Sequence, residues 1–208
     1  MKVKICGITT KTALETAIEA GADFVGFVFF EKSKRNISVE KAKELSKLVP
    51  ENVKKVGVFV DEPLESLLKI ANEIPLDIVQ LHGNEIWQYC EKIPFEIIKV
   101  IKVTDGKFSQ NPDNFPDITL MFDAKISGSG EKFDWLATDF GKIKGRKFFI
   151  AGGLNPENVK EAIEYFSPFA VDVSSGVETN GQKDNDKIRD FLKNARMLEE
   201  AEKKFAFS

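Results

Sequence analysis

Phe148-Phe149-Ile150-Ala151-Gly152-Gly153-Leu154-Asn155-Pro156, then Val159, Ala162, Ile163 and Phe166, then Phe169-Ala170-Val171-Asp172-Val173-Ser174-Ser175-Gly176, spell out one complete β-α-β unit. The first apolar run is short and rich in Phe and Ile, which suits a strand covered on both faces. Asn155 supplies a helix cap and Pro156 suits a first helical turn, and the apolar residues that follow recur at the spacing of one helix face. A second apolar run then returns. Strand, helix and strand in that order predict two parallel strands joined by a crossover.

The same alternation extends outward to both ends of the chain. Apolar runs at residues 3–5, 24–29, 56–60, 78–81, 97–103, 118–122, 148–150 and 169–173 predict eight strands. Helices fit between them. Ala13, Leu14, Ala17 and Ile18 share one face, with Gly21 as the stop, and Ser38 caps a second helix that buries Val39, Ala42, Leu45 and Leu48. Pro63 opens a third with Leu64, Leu67, Leu68 and Ala71 inward, and the last, about 186–200, turns Ile188, Phe191, Leu192, Ala195 and Leu198 to the core. Residues 105–117 are rich in Asn, Asp and Pro and carry no apolar stripe, so the fifth β-α unit is predicted to be irregular or shortened. Eight such units predict an α/β chain with a single (β/α)8 barrel over 1–200 and a tail at 201–208, whose Phe205 and Phe207 pack under the barrel or against a partner. The competing fold, a doubly wound open sheet of the dinucleotide-binding type, wants Gly-x-Gly-x-x-Gly after the first strand, where Cys6-Gly7-Ile8-Thr9 stands instead.

Composition narrows the partners. The 208 residues include 30 Lys and Arg against 33 Asp and Glu, a net charge of −3 with no basic block to track a nucleic-acid backbone. Neither a signal-peptide core nor an apolar run of membrane-spanning length is present, which predicts a cytoplasmic protein with no membrane partner. Cys6 and Cys90, with one histidine, cannot assemble a metal cluster at finger-like spacing, so both thiols are expected reduced and no metal is expected. Cys90 is read as core, on one helix face with Ile86.

In such a barrel the chemistry collects at the C-terminal ends of the strands. Those ends carry Cys6, then Gln80 and His82, then Asp123, then Gly152 and Gly153, then Asp172, Ser174, Ser175 and Gly176. Asp123 alone reads as a capped structural acid, and Cys6 alone as a small buried hydrophobe. Their convergence on one mouth favours acid and base instead. Gly152-Gly153 before a helix, with Ser174-Ser175-Gly176 after the last strand, match the two-loop phosphate site that barrels commonly build. Arg35 lies in a charged loop that is ordinarily a solvated face, yet its planar guanidinium suits a substrate carboxylate. His82 reads equally as a pocket contact or a hydrogen-bonded barrel residue. Residues 127–132 have a lid's composition, as does any surface loop.

Lys4-Ile5-Cys6-Gly7-Ile8-Thr9, Gly26-Phe27-Val28-Phe29, Ser33-Lys34-Arg35, Val79-Gln80-Leu81-His82-Gly83, Gly128-Ser129-Gly130 with Phe133-Asp134-Trp135, Ala151-Gly152-Gly153-Leu154-Asn155-Pro156 and Val171-Asp172-Val173-Ser174-Ser175-Gly176-Val177-Glu178 occur in this order. On these motifs the chain resembles the phosphoribosylanthranilate isomerases of tryptophan biosynthesis from residue 4 to about 194. The resemblance implies an Amadori rearrangement with Asp123 as general acid and Cys6 as general base. It also implies Arg35 on the anthranilate carboxylate, Gly153, Ser174, Ser175 and their neighbours on the phosphate, and His82 and Asp172 lining the pocket. No cofactor is implied.

A protonated carboxyl beside the furanose oxygen can open the ring to a Schiff base if an apolar wall keeps it dry. The iminium acidifies the C2′ proton, and a thiolate at Cys6, its thiol pKa lowered by nearby positive charge, can remove it. Two alternatives compete. Another phosphate-binding barrel enzyme, an indole-glycerol-phosphate synthase or a pentose-phosphate epimerase, would want a catalytic lysine at a strand end or paired acids with a metal. A non-catalytic phosphosugar-binding barrel would keep the phosphate loops without acid and base. The oligomeric state, monomer or homodimer, is left open by the apolar tail.

Overall fold

The computed structural model describes residues 1–124 and 145–206, and for residues 124 and 198–206 the backbone alone. The lid at 127–132, the motifs at 128–130 and 133–135, and the side chains of Leu198, Phe205 and Phe207 lie outside the described residues.

Eight strands form the barrel: β1 (Lys2–Cys6), β2 (Phe24–Phe29), β3 (Lys54–Phe59), β4 (Ile78–Leu81), β5 (Glu96–Thr104), β6 (Thr119–Ala124), β7 (Phe148–Ala151) and β8 (Ala170–Val173). Each pairs in parallel with the next, and β8 pairs with β1 from Lys2↔Ala170 to Ile5↔Val173, which closes the sheet. Closure removes every sheet edge.

Period-2 alternation then sends each strand's side chains to two cores. Outward residues such as Val3, Ile5, Val25, Phe27, Val79, Leu81, Ile101 and Phe122 pack under the helices. Inward ones, Phe24, Val56, Ile78, Ile98, Val100, Met121, Phe149 and Ala170, fill the barrel's lower half, where the Phe24 and Phe149 rings meet edge to face at 5.3 Å. Above that plug the inward positions mix Lys4, Cys6, Gln80, Lys102, Asp123 and Asp172 with Val28 and Val58.

Helices α1 (Lys11–Glu19), α2 (Val39–Ser46) and α3 (Leu64–Glu73) fall where the apolar stripes predict them. Ser38 Oγ accepts from Lys41 N at 3.3 Å, as a capping serine should. α4 is a single turn, Trp87–Cys90, and Cys90 is buried there. Ile86, expected on the same face, is exposed, because it precedes that turn in extended conformation. α5 (Val159–Phe166) starts later than Asn155-Pro156 suggests: Asn155 Oδ1 accepts from Glu157 N and Asn158 N and builds a turn before the helix. α6 (Asn185–Ala206) continues past the predicted end and buries Ile188, Phe191, Leu192 and Ala195.

The fifth unit contains no helix among the described residues. A two-residue strand, Lys107–Phe108, folds back on β5, and a 3₁₀ turn, Pro112–Asn114, follows. Arg146 secures this connection by donating to the carbonyls of Pro112, Phe115 and Ile118.

Candidate active site

A cavity of about 480 Å³ opens at the C-terminal ends of the strands, a volume suited to a small ligand. Cys6, Arg35, Gln80, His82, Asp123, Gly152, Gly153, Asp172, Ser174 and Ser175 all line it. The structure therefore brings together ten of the eleven residues singled out above. Gly176 stands behind the wall. A Cβ there would fall 1.8 Å from Leu154 O, so this glycine lets the loops after β7 and β8 touch rather than presenting itself to a ligand.

The phosphate-loop geometry follows from local chemistry. Gly152 and Gly153 have φ of 92° and 65°, the left-handed region that side chains disfavour. Ser174 Oγ donates to Cys6 O at 3.1 Å, tying the end of β8 to the end of β1. A 3₁₀ turn, Ser175–Val177, then leads into a small hairpin of Glu178–Thr179 and Gln182–Lys183. The helix terminus expected beside Gly153 is displaced by the Asn155 turn, whose backbone N–H groups at 155, 157 and 158 are already bonded to Asn side chains.

Asp123 faces His82 across the mouth, Oδ2 to Nε2 at 3.1 Å. Its side chain is 29% exposed, and the cavity it lines also carries the apolar side chains of Val28, Phe30, Val58 and Leu154. Cys6 is only 6% exposed. Burial pushes its thiol up and Lys4 pulls it down, while Asp172 adds to the upward push, and the net direction is upward. This corrects the expectation that positive charge leaves the thiol lowered. The cation is present, but desolvation outweighs it.

Arg35 reaches the cavity while forked onto Glu178, Nε to Oε1 at 2.6 Å and Nη2 to Oε2 at 2.7 Å. Lys183, 4% exposed, donates to the same Oε1 at 2.6 Å and to Ser174 O at 3.0 Å. Gln80 Oε1 is buried at the cavity wall with no protein partner in the described structure. Among the described residues no group of three or more His, Cys, Asp or Glu side chains is arranged to hold a metal ion.

Sequence reasoning gave no role to Lys4, Lys102, Glu178 or Lys183, though Lys4 and Glu178 stand in the motifs quoted above. Period-2 alternation finds two of them: Lys4 is two residues before Cys6, and Lys102, which lines the cavity, is two after Val100. Glu178 and Lys183 sit in a hairpin with no such signal.

A closed barrel with a thiol, a carboxyl and two glycine- and serine-built loops around one cavity belongs to the phosphosugar-handling (β/α)8 barrels. The model of the family described as N-(5′-phosphoribosyl)anthranilate (PRA) isomerase matches residues 3–194. The N-(5′-phosphoribosyl)anthranilate isomerase of Listeria monocytogenes serotype 4a is 48% identical over 203 residues, covering 96% of this chain and 100% of the relative. Crystal structures agree. Phosphoribosyl anthranilate isomerase from Thermotoga maritima superposes with a TM-score of 0.84 at 42% identity, over 94% of this chain and 98% of that one. A phosphoribosyl anthranilate isomerase in complex with reduced 1-(o-carboxyphenylamino)-1-deoxyribulose 5-phosphate superposes with a TM-score of 0.82 at 41% identity, with the same coverage. The chain belongs to the N-(5′-phosphoribosyl)anthranilate isomerase family.

Proposed function

We propose that this chain converts N-(5′-phosphoribosyl)anthranilate into 1-(2-carboxyphenylamino)-1-deoxyribulose 5-phosphate in tryptophan biosynthesis, with Asp123 as general acid and Cys6 as general base. The observation that carries this reading is that Cys6 and Asp123 line one cavity together with Gly152-Gly153 and Ser174-Ser175. The molecule bound in the related crystal structure carries a carboxyphenylamino group at one end and a phosphate at the other. A cavity for such a molecule needs an anion site at each end, and Gly152, Gly153, Ser174 and Ser175 suit the phosphate. Arg35 serves the carboxylate. Its fork on Glu178 uses Nε and Nη2, leaving Nη1 for the ligand.

Asp123 protonates the ring oxygen, the furanose C1′–O bond breaks, and the nitrogen lone pair forms the iminium. The Cys6 thiolate then takes the C2′ proton; the C–H electron pair forms the enamine double bond and neutralises the nitrogen. Gln80, His82 and Asp172 contact the sugar between the two ends. The reaction takes place in the cytoplasm, in a monomer or homodimer.

The test is loss of phosphoribosylanthranilate with a chelator present, comparing wild type, Cys6→Ala and Asp123→Asn. Each substitution is expected to lower kcat by roughly 10²- to 10⁴-fold. Undiminished turnover in both variants overturns the assignment. An inactive wild type that binds the product analogue tightly identifies a phosphosugar-binding barrel instead.

A further inference from the structure

Two residues before Cys6, on the same face of β1, the side chain of Lys4 lies inside the barrel with no exposure to solvent. Its Nζ is 2.7 Å from Asp172 Oδ1, on the neighbouring strand β8. The third side of this arrangement is Gly26 on β2. A Cβ placed there would be 2.8 Å from Cys6 Sγ and 3.2 Å from Lys4 Nζ, so the thiol and the ammonium share the space that a side chain at 26 would occupy. An ammonium buried below a proposed catalytic sulfur is costly unless it has an anion to hold, and it has one in Asp172. Only the thiolate gives it a second.

We infer that Lys4 is a positioning residue for proton transfer at Cys6: its ammonium, held by Asp172, stabilises the thiolate in the space kept open by Gly26. The inference rests on the reading of Cys6 as base. With Cys6 as a thiol, Lys4 and Asp172 form a neutral pair. When the proton leaves to solvent through the mouth, the trio carries one negative charge in a site that water barely reaches. Lys183 and Arg35 are the next cations facing the sulfur, and both are committed to Glu178. Lys102, His82 and Asp123 line the same cavity from β5, the end of β4 and β6. Lys4 retains its proton throughout, since burial, which alone would favour loss of the proton, is outweighed by Asp172 and Cys6, and its pKa stands above the ordinary lysine value.

The two partners of the ammonium give predictions of opposite sign. Lys4→Met removes the cation and leaves Asp172 to repel the thiolate, so the Cys6 titration midpoint rises by about one pH unit or more. Asp172→Asn removes the competing anion, so the midpoint falls. The measurement is thiolate ultraviolet absorbance against pH in substrate-free protein, each variant referenced to the same variant carrying Cys6→Ala, which subtracts Cys90 and the tyrosines. Opposite shifts support the inference. An unchanged midpoint in Lys4→Met, or shifts of both variants in one direction, overturns it. Where Lys4→Met fails to fold, Gly26→Ala keeps every charge and places a methyl between Sγ and Nζ; its midpoint is expected to rise, and an unchanged value overturns the inference. Because these titrations need no turnover, they stand apart from the reading of Cys6 as base. That reading fails separately if Cys6→Ala turns over at the wild-type rate.

Discussion

His82 Nε2 stands 3.1 Å from Asp123 Oδ2, joining the end of β4 to the end of β6 over the intervening strand β5. An imidazole in that position fixes one oxygen of the carboxyl group. It performs no chemistry of its own in the proposed reaction.

His82→Ala should therefore lower kcat by roughly tenfold, about 1.4 kcal/mol, the size of one well-placed hydrogen bond. KM should change much less. His82→Gln, which can still donate an N–H, should recover part of the loss. Steady-state kinetics on both variants checks this, and a KM effect exceeding the kcat effect makes contact with the sugar, rather than the hold on Asp123, the main role of His82.

Glu178 carries two cations on one carboxylate. Burial alone would raise its pKa, but Arg35 and Lys183 outweigh burial and hold it below the ordinary glutamate value. Glu178→Gln should loosen the Arg35 fork and leave the buried Lys183 ammonium without its carboxylate. The expected outcome is a KM about tenfold higher, with a loss of roughly 1.5–3 kcal/mol in stability, the usual worth of charged hydrogen bonds. Kinetics and urea unfolding on the same variant measure both effects. An unchanged KM separates Arg35 from substrate binding.

A second buried pair supports the opposite side of the barrel. Lys99 Nζ bonds Glu85 Oε2 at 2.7 Å and Gly83 O at 2.8 Å, with both charged side chains essentially excluded from water. Glu85 Oε1 also accepts from Asp61 N at 2.9 Å, so one carboxylate ties together the loops after β3 and β4. Lys99→Met leaves that carboxylate buried and unpaired, and should cost about 3–5 kcal/mol in denaturant unfolding. Lys99→Met combined with Glu85→Gln should lose less than Lys99→Met alone. A single-variant loss below about 1 kcal/mol, the range of exposed pairs, contradicts the burial argument.

The barrel was legible because its strands are covered on both faces and so read as apolar runs, and because each site residue except Arg35 stands at or just after such a run. The alternation that exposes Cys6 to the cavity was present in the sequence too, yet neither Lys4, which opens the first motif, nor Lys99 was given a role. A lysine within an apolar run reads as a solvent-facing position; barrel closure encloses Lys4, while Lys99, on the outer face beside Ile101, is covered by the loop that carries Glu85. Glu178 and Lys183 gave no such signal for another reason: they pair with each other and with Arg35, which comes from the loop after β2. The displaced start of α5 reflects Asn155 bonding backbone N–H groups in a turn, a competition that capping rules alone do not resolve.

Stability should decline on the alkaline side, and Cys90 makes the sign explicit. Burial pushes its thiol up to about 11 from an ordinary value of 9.0. Between those values the folded chain keeps a proton that the unfolded chain has lost, so raising the pH favours unfolding. The contribution is complete below the unfolded value and is lost as pH climbs through the folded one. One such proton limits the slope to about 1.4 kcal/mol per pH unit. Cys6 shares the direction, since burial raises it as well. Urea unfolding from about pH 8 to about pH 11 should show wild type losing stability more steeply than Cys90→Ala, whatever the cavity left by the missing sulfur costs at all pH values. Parallel pH slopes for the two proteins would show that the Cys90 thiol titrates alike in the folded and unfolded chain, and would place the alkaline loss elsewhere.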